Sequence, residues 1–155
     1  MARLCAGAAL WHYASVTDFQ TFLEFMTGPE KIVGKRVLLV DDQAEVRDTV
    51  KLLLGLDGHT VTEARHGREA LGMFIPGRFD IVITDYAMPV MKGDELAAKI
   101  KEIAPSQPIL MITGSAEKFG GVQASVDALL NKPFGFDGLR CALAEVLGSP
   151  NVVQV

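Results

Sequence analysis

The chain has 155 residues, of which 49% are hydrophobic and 22% are charged, and its formal net charge is −4. This length predicts a single globular domain, and the acidic balance argues against direct binding to nucleic acid. No apolar run approaches the length of about 20 residues that a membrane-spanning helix needs. Cys5 and Cys141 are far apart and belong to no metal-binding motif, so we expect reduced thiols in a cytoplasmic protein.

Residues 1–34 are expected to form a helical extension and a linker. The helical signal is an apolar stripe at positions i, i+3, i+4 and i+7, made by Phe19, Phe22, Leu23 and Met26. The Gly-Pro pair at 28–29 ends this pattern. The stripe could pack against the rest of the domain, form a homodimer through residues 17–27, or bind a partner protein.

From residue 36 onward, short apolar runs alternate with amphipathic stretches. The predicted strands are 36–40, 60–64, 80–84, 108–113 and 127–131, and the predicted helices are 44–58, 67–74, 94–103 and 136–147. A further helix is expected between the last two strands, although Gly120 and Gly121 weaken that prediction.

This alternation predicts an α/β domain with a parallel sheet that is covered by helices on both faces. We expect the domain to occupy residues 35–149 and residues 150–155 to form a C-terminal tail. No output domain is expected after the last predicted helix. In such sheets, ligands bind beyond the carboxyl ends of the strands.

Polar residues stand at the predicted carboxyl ends of four strands. Asp41 and Asp42 end the first strand, Asp85 ends the third, Thr113 ends the fourth, and Lys132 follows the fifth. Three carboxylates at one sheet edge repel one another unless a cation joins them, and an oxygen-only ligand set suits Mg²⁺ or Mn²⁺. With a hydroxyl and an ammonium beside them, the set predicts phosphoryl transfer with Asp85 as the nucleophile.

Four motifs in order give the chain a resemblance to a known family. They are "LLVDD" (38–42), "DIVITDYAMPVMKGDEL" (80–96), "MITGS" (111–115) and "NKPF" (131–134). Through them, residues 36–147 resemble the receiver domain of two-component response regulators, the chemotaxis regulators among them. The resemblance implies a flavodoxin-like, doubly wound sheet of five parallel strands in the order 2-1-3-4-5.

The resemblance also implies a role for each acid. Asp85 would accept a phosphoryl group from a histidine kinase or a histidine phosphotransfer protein, and the domain would then signal to a downstream protein target. Asp41, Asp42, Asp85 and the backbone carbonyl of Ala87 would hold the metal ion.

Further roles fall on the last two strands. Thr113 would hydrogen-bond the phosphoryl group and act as a switch, and Lys132 would pair with the phosphate. The peptide bond before Pro133 is expected to be cis.

Two departures from the family pattern concern the face of the domain that includes residues 114–131. The switch position three residues before Lys132 is usually aromatic, and here it is Leu129. The interval from Thr113 to Lys132 is 19 residues, which is shorter than usual by roughly one helical turn. We expect signalling through this face to be altered.

The leading interpretation is a phosphoacceptor module that catalyses only its own phosphorylation and dephosphorylation. One alternative is an aspartyl-phosphate phosphatase or phosphotransferase on a related α/β sheet. Many such enzymes carry a second acid two residues after the nucleophile, where this chain has Ala87. A second alternative is a pseudo-receiver that binds a partner without phosphorylation, although every acid and the lysine are present.

Overall fold

The computed structural model describes residues 32–114 and 125–148. Within these ranges the chain alternates between strands and helices. In chain order they are β1 (Arg36–Val40), α1 (Ala44–Leu56), β2 (Thr60–Ala64), α2 (Gly67–Met73), β3 (Ile81–Asp85), α3 (Gly93–Ile103), β4 (Ile109–Thr113), β5 (Ala128–Asn131) and α4 (Phe136–Leu147). The helix expected within 17–27 and most of the helix expected between β4 and β5 lie outside the described residues.

The five strands form one sheet in the order β2-β1-β3-β4-β5, and all four strand pairs are parallel. The predicted fold class is therefore confirmed for the described residues. The chain leaves β1 towards one edge of the sheet and leaves β3 towards the other. The loops after β1 and β3 thus diverge, and they open a crevice at the carboxyl ends of these two central strands.

Helices cover both faces of the sheet. Successive residues of a strand point to opposite faces, so each central strand packs against helices on both sides. Leu38 and Val40 of β1 pack in a cluster with residues of α2 and α3, whereas Val37 and Leu39 pack with α1 and α4. All five residues of β3 are buried. Each fully buried aliphatic side chain contributes about 1.5–3 kcal/mol, so the centre of the sheet is a rigid support for what stands at its end.

A polar network closes the opposite, amino-terminal edge of the sheet. Arg140 of α4 donates two hydrogen bonds, of 2.8 and 2.7 Å, to the carboxylate of Asp57 at the end of α1. Gly58 follows with φ +73°, a conformation that a side chain would strain. The backbone N–H of Lys35 donates to Nδ1 of His59 over 3.0 Å. This network ties α1, α4 and the starts of β1 and β2 together.

Two expectations from the composition concern membrane-spanning helices and the two cysteines. In the part of the chain that the structure describes, no helix has both the length and the apolar character needed to cross a bilayer. Cys5 lies outside the described residues, so the expectation for the two thiols has no test in the described part of the chain.

Candidate functional site

Three carboxylates meet at the carboxyl ends of β1 and β3. One oxygen from each of Asp41, Asp42 and Asp85 lies within 4.8 Å of the others. Asp41 and Asp85 are only 2% and 6% exposed, whereas Asp42 is exposed. The cluster is thus open to solvent on one side and has two charges embedded in the protein.

The turn after β1 brings two adjacent acids to the same place. Neighbouring residues of a strand point to opposite faces, so Asp41 and Asp42 can share a site only where the strand ends. The N–H of Asp41 still donates to Ala64 of β2 over 3.2 Å, and the N–H of Gln43 donates to Asp41 Oδ1 over 2.9 Å. The Asp41 carbonyl accepts a hydrogen bond of 2.7 Å from Arg47 Nη1. These contacts hold the turn just beyond the strand.

Asp85 is the last residue of β3 and lies opposite Ile112 of β4. The sequence also placed it at the carboxyl end of the third strand, and its position in the ladder makes its backbone rigid. The loop that follows folds back, and the N–H of Gly93 donates to the Tyr86 carbonyl over 2.9 Å. A Cβ atom on Gly93 would overlap the Asp85 carbonyl oxygen. Only glycine lets the start of α3 come this close.

Lys132 reaches the cluster from the loop after β5. Its Nζ lies 3.0 Å from Oδ1 of Asp85. The backbone N–H of Lys132 donates to the Thr113 carbonyl over 2.8 Å, and the Lys132–Pro133 bond is cis, as the resemblance implied. Thr113 itself is 2% exposed at the end of β4. The structure therefore gathers the ammonium, the threonine and the three acids at one edge of the sheet.

The electrostatics of the cluster favour a bound cation. Burial raises the pKa of Asp41 above its ordinary value, and repulsion from Asp85 and Asp42 adds to this increase. The hydrogen bond from Gln43 and the charge of Lys132 oppose the increase without cancelling it. A divalent cation would stabilise the ionised carboxylates, and the oxygen-only ligand set fits the preference of Mg²⁺.

The remaining predicted residues lie close to this site. Ala87 is exposed in the loop two residues after Asp85. Leu129 is half-buried in β5, opposite Met111 of β4. Sequence reasoning missed Arg47, although a basic residue one helical turn after an acidic pair was a signal that could have drawn attention to it.

Comparisons with known proteins agree with this geometry. The family description "Response regulator receiver domain" matches residues 37–144. Response regulator MprA of Mycolicibacterium vanbaalenii is 33% identical over 115 residues, which cover 72% of this chain and 50% of that protein. Phosphate regulon transcriptional regulatory protein PhoB of Pseudomonas aeruginosa is 31% identical over 121 residues, covering 75% and 53%. The chain thus spans about half the length of the curated relatives it matches.

Solved structures give the same result. Chemotaxis response regulator CheY4 of Vibrio cholerae superposes with a TM-score of 0.67 at 35% identity, over 74% of this chain and 100% of that one. Response regulator protein TrrA of Thermotoga maritima, in complex with Mg²⁺ and BeF, superposes with a TM-score of 0.68 at 32% identity, over 73% and 99%. The expectation of no contact with nucleic acid finds no support in these comparisons, since one relative is named a transcriptional regulatory protein.

Proposed function

This chain belongs to the family of response regulator receiver domains, and we propose that Asp85 is the residue that accepts its phosphoryl group. Receiver domains are signalling modules and not turnover enzymes. One of the solved structures that resemble this chain is a chemotaxis response regulator. The observation that carries the assignment is the ion pair of 3.0 Å between Lys132 and Asp85, inside the cluster of three carboxylates. Of the three acids, only Asp85 sits at the end of a fully buried strand.

The proposed reaction is nucleophilic transfer from a phosphohistidine. An oxygen of the Asp85 carboxylate attacks phosphorus, the P–N bond breaks, and the imidazole nitrogen leaves with the electron pair and takes up a proton. The product is an acyl phosphate on Asp85. Lys132 offsets negative charge on the phosphoryl oxygens, and the hydroxyl of Thr113 donates a hydrogen bond to one of them.

Asp41, Asp42, Asp85 and the backbone carbonyl of Ala87 would hold Mg²⁺. Bound there, the ion would offset the charge of the transferring phosphoryl group. The support is the donor set and the complex that the similar protein TrrA forms with Mg²⁺ and BeF. Mn²⁺ shares the preference for oxygen ligands and would serve as a substitute.

We propose that residues 35–149 act as the receiver, with Thr113 and Leu129 as the switch that responds to phosphorylation. The donor would be a histidine kinase or a histidine phosphotransfer protein, and the output would be binding to a downstream protein. Three further assignments remain predictions. They are the helical extension and linker at residues 1–34, the homodimer contact through residues 17–27, and the C-terminal tail at residues 150–155. A cytoplasmic location is also a prediction.

The two alternatives are less well supported. A phosphatase or phosphotransferase of this type would be helped by an acid two residues after Asp85, where the chain has an exposed alanine, Ala87. A pseudo-receiver would not need an assembled set of acids with a paired lysine. We therefore propose that the domain acts only on its own phosphoryl group.

The test is incubation with acetyl phosphate and Mg²⁺, followed by intact-mass measurement. We expect one phosphoryl adduct on the wild type, none on Asp85→Asn, and an adduct on the control Asp48→Asn, whose carboxylate lies on α1 outside the acidic cluster. An adduct that survives in Asp85→Asn would refute the assignment. Steady hydrolysis of a generic phosphomonoester without a stable adduct would favour the phosphatase alternative instead.

A further inference from the structure

We propose that Arg47, anchored by Glu63, is a positioning residue that fixes the turn between Asp41 and Asp42 and so sets the affinity of the site for its cation. This inference rests on the proposed function, because it concerns the same Mg²⁺ site. Neither residue was a candidate from the sequence, and neither would contact the ion or the phosphoryl group.

Arg47 holds the turn directly. It lies in the first turn of α1, and its Nη1 donates a hydrogen bond of 2.7 Å to the main-chain carbonyl of Asp41. The backbone N–H of Arg47 also donates to Gln43 over 3.1 Å. The side chain is only 12% exposed, so this contact is sheltered from solvent. Hydrogen bonds from a charged donor are stronger than neutral ones.

Glu63 of β2 anchors the arginine from the other side. Its Oε1 lies 3.5 Å from Arg47 Nε, and its Oε2 lies 2.8 Å from Lys51 Nζ. The hydrogen bond from Lys51, with further contributions from Arg47, lowers the pKa of Glu63 below its ordinary value, so the carboxylate stays ionised at neutral pH. The guanidinium is thus held by a hydrogen bond to the carbonyl of the turn and by an ion pair with the carboxylate on β2, in which Nε makes no hydrogen bond.

The Asp41 carbonyl in turn controls the direction of Asp42. The peptide plane that carries this carbonyl also carries the N–H of Asp42, so holding the carbonyl restricts the direction in which the Asp42 side chain leaves the backbone. Asp41 has two further contacts, through its N–H and its carboxylate. Asp42 is exposed. Groups that orient metal ligands typically change metal affinity by about 10–100-fold when they are removed.

Electrostatics alone predict the opposite effect, which makes the idea testable. Removal of a cation near an acidic site should strengthen the binding of Mg²⁺. A loss of affinity in Arg47→Met would therefore report geometry and not charge. Lys51→Met is the matched control, because it removes the same charge from the same helix and the same partner, Glu63, but leaves the contact with the turn in place.

The experiment is calorimetric titration of the full chain with Mg²⁺, at one pH and ionic strength. We expect Arg47→Met to bind Mg²⁺ about 10-fold more weakly and Lys51→Met to stay within about twofold of wild type, as for a solvent-screened charge. Arg47→Lys, which keeps the charge but cannot reach both partners at once, should be intermediate. Saturating Mg²⁺ should restore most of the rate of phosphorylation by acetyl phosphate in Arg47→Met.

Two outcomes would overturn the inference: wild-type affinity in Arg47→Met, or an equal loss in Lys51→Met. If Arg47→Met does not fold, Arg47→Lys decides, because it keeps the positive charge and changes only the geometry of the contact with the turn. A loss of affinity in this folded variant supports the inference, and no change refutes it. A wild-type chain that bound no Mg²⁺ at all would instead refute the proposed function, so the two failures are distinguishable.

Discussion

Lys132 and Asp85 come together from two strands that are not neighbours in the sheet. The ammonium crosses from the loop after β5 to the end of β3 and lies 3.0 Å from the carboxylate. The contact thus passes the end of β4, where Thr113 is buried. Any group bound to Asp85 would meet the ammonium on this side and the acidic pair, Asp41 and Asp42, on the other.

Replacement of Lys132 by methionine should separate phosphoryl transfer from metal binding. We expect the rate of phosphorylation by acetyl phosphate to fall by about 10²-fold, as for the loss of one stabilising donor. Mg²⁺ affinity should be equal or higher, because a positive charge leaves the acidic cluster. Rates at saturating Mg²⁺ and calorimetric titration would check both expectations. A parallel loss of rate and Mg²⁺ affinity would contradict the assigned role.

Gly93→Ala should destabilise the domain. The new Cβ would overlap the Asp85 carbonyl oxygen, and a misfit of this kind costs about 1–3 kcal/mol. Urea unfolding would measure the loss. Gly72→Ala is the control, since a Cβ there meets nothing within 4 Å, and this change should stabilise α2 by about 0.5–1 kcal/mol. Equal effects of the two substitutions would show that the close approach does not matter.

The raised pKa of Asp41 predicts opposite responses to pH for stability and for Mg²⁺ binding. Without a cation, a carboxyl group whose pKa is higher in the folded state than in the unfolded state favours folding at low pH. This contribution is lost as the pH rises through the interval between the two pKa values. Mg²⁺ needs the ionised form, so its affinity should fall as the pH falls through the raised pKa.

Asp41→Asn provides the corresponding measurement. At neutral pH and with a chelator present, this variant should unfold at higher urea concentration than wild type, since one of three repelling charges is gone. Added Mg²⁺ should stabilise the wild type and have little effect on the variant. The prediction is wrong if the variant unfolds earlier than wild type under these conditions.

The departures at residues 114–131 lead to a prediction about signalling. Hydrogen exchange with and without a beryllofluoride mimic in Mg²⁺ should show changed protection at the ends of β1 and β3, and little change across 114–131. Leu129→Tyr supplies the usual aromatic side chain at a position that is half-buried in β5. We expect this variant to extend the change towards 114–131. Ordinary changes across 114–131 in the wild type would end the hypothesis.

The sequence predicted β1, β3 and β4 well because both faces of these strands are buried, which leaves an unbroken apolar run such as that of β3. It also predicted the order of the polar residues along one edge, because parallel strands point their carboxyl ends the same way. Asp85 was predicted at the end of the third strand because an acid normally ends an apolar run. Here the backbone of Asp85 pairs with β4 while its side chain stands at the edge.

What the sequence could not predict depends on contacts between elements. The hydrogen bond from Arg47 to the Asp41 carbonyl requires α1 to dock over β2, which brings Glu63 within reach. Arg140 and Asp57 are 83 positions apart, and no local pattern links them. Such partners are set by the register of the sheet and by helix packing.

The hydrogen bond of 2.8 Å from the Lys132 N–H to the Thr113 carbonyl joins the alcohol-bearing and amine-bearing segments of the site through their main chains. If one segment moves, either the other segment moves with it or this hydrogen bond breaks. A mutation that displaces the tip of β4 should therefore disturb the amine as well, even when the lysine codon is untouched. The loss of phosphorylation in such a variant would resemble the loss caused by replacing Lys132. A structure of the variant would distinguish the two causes.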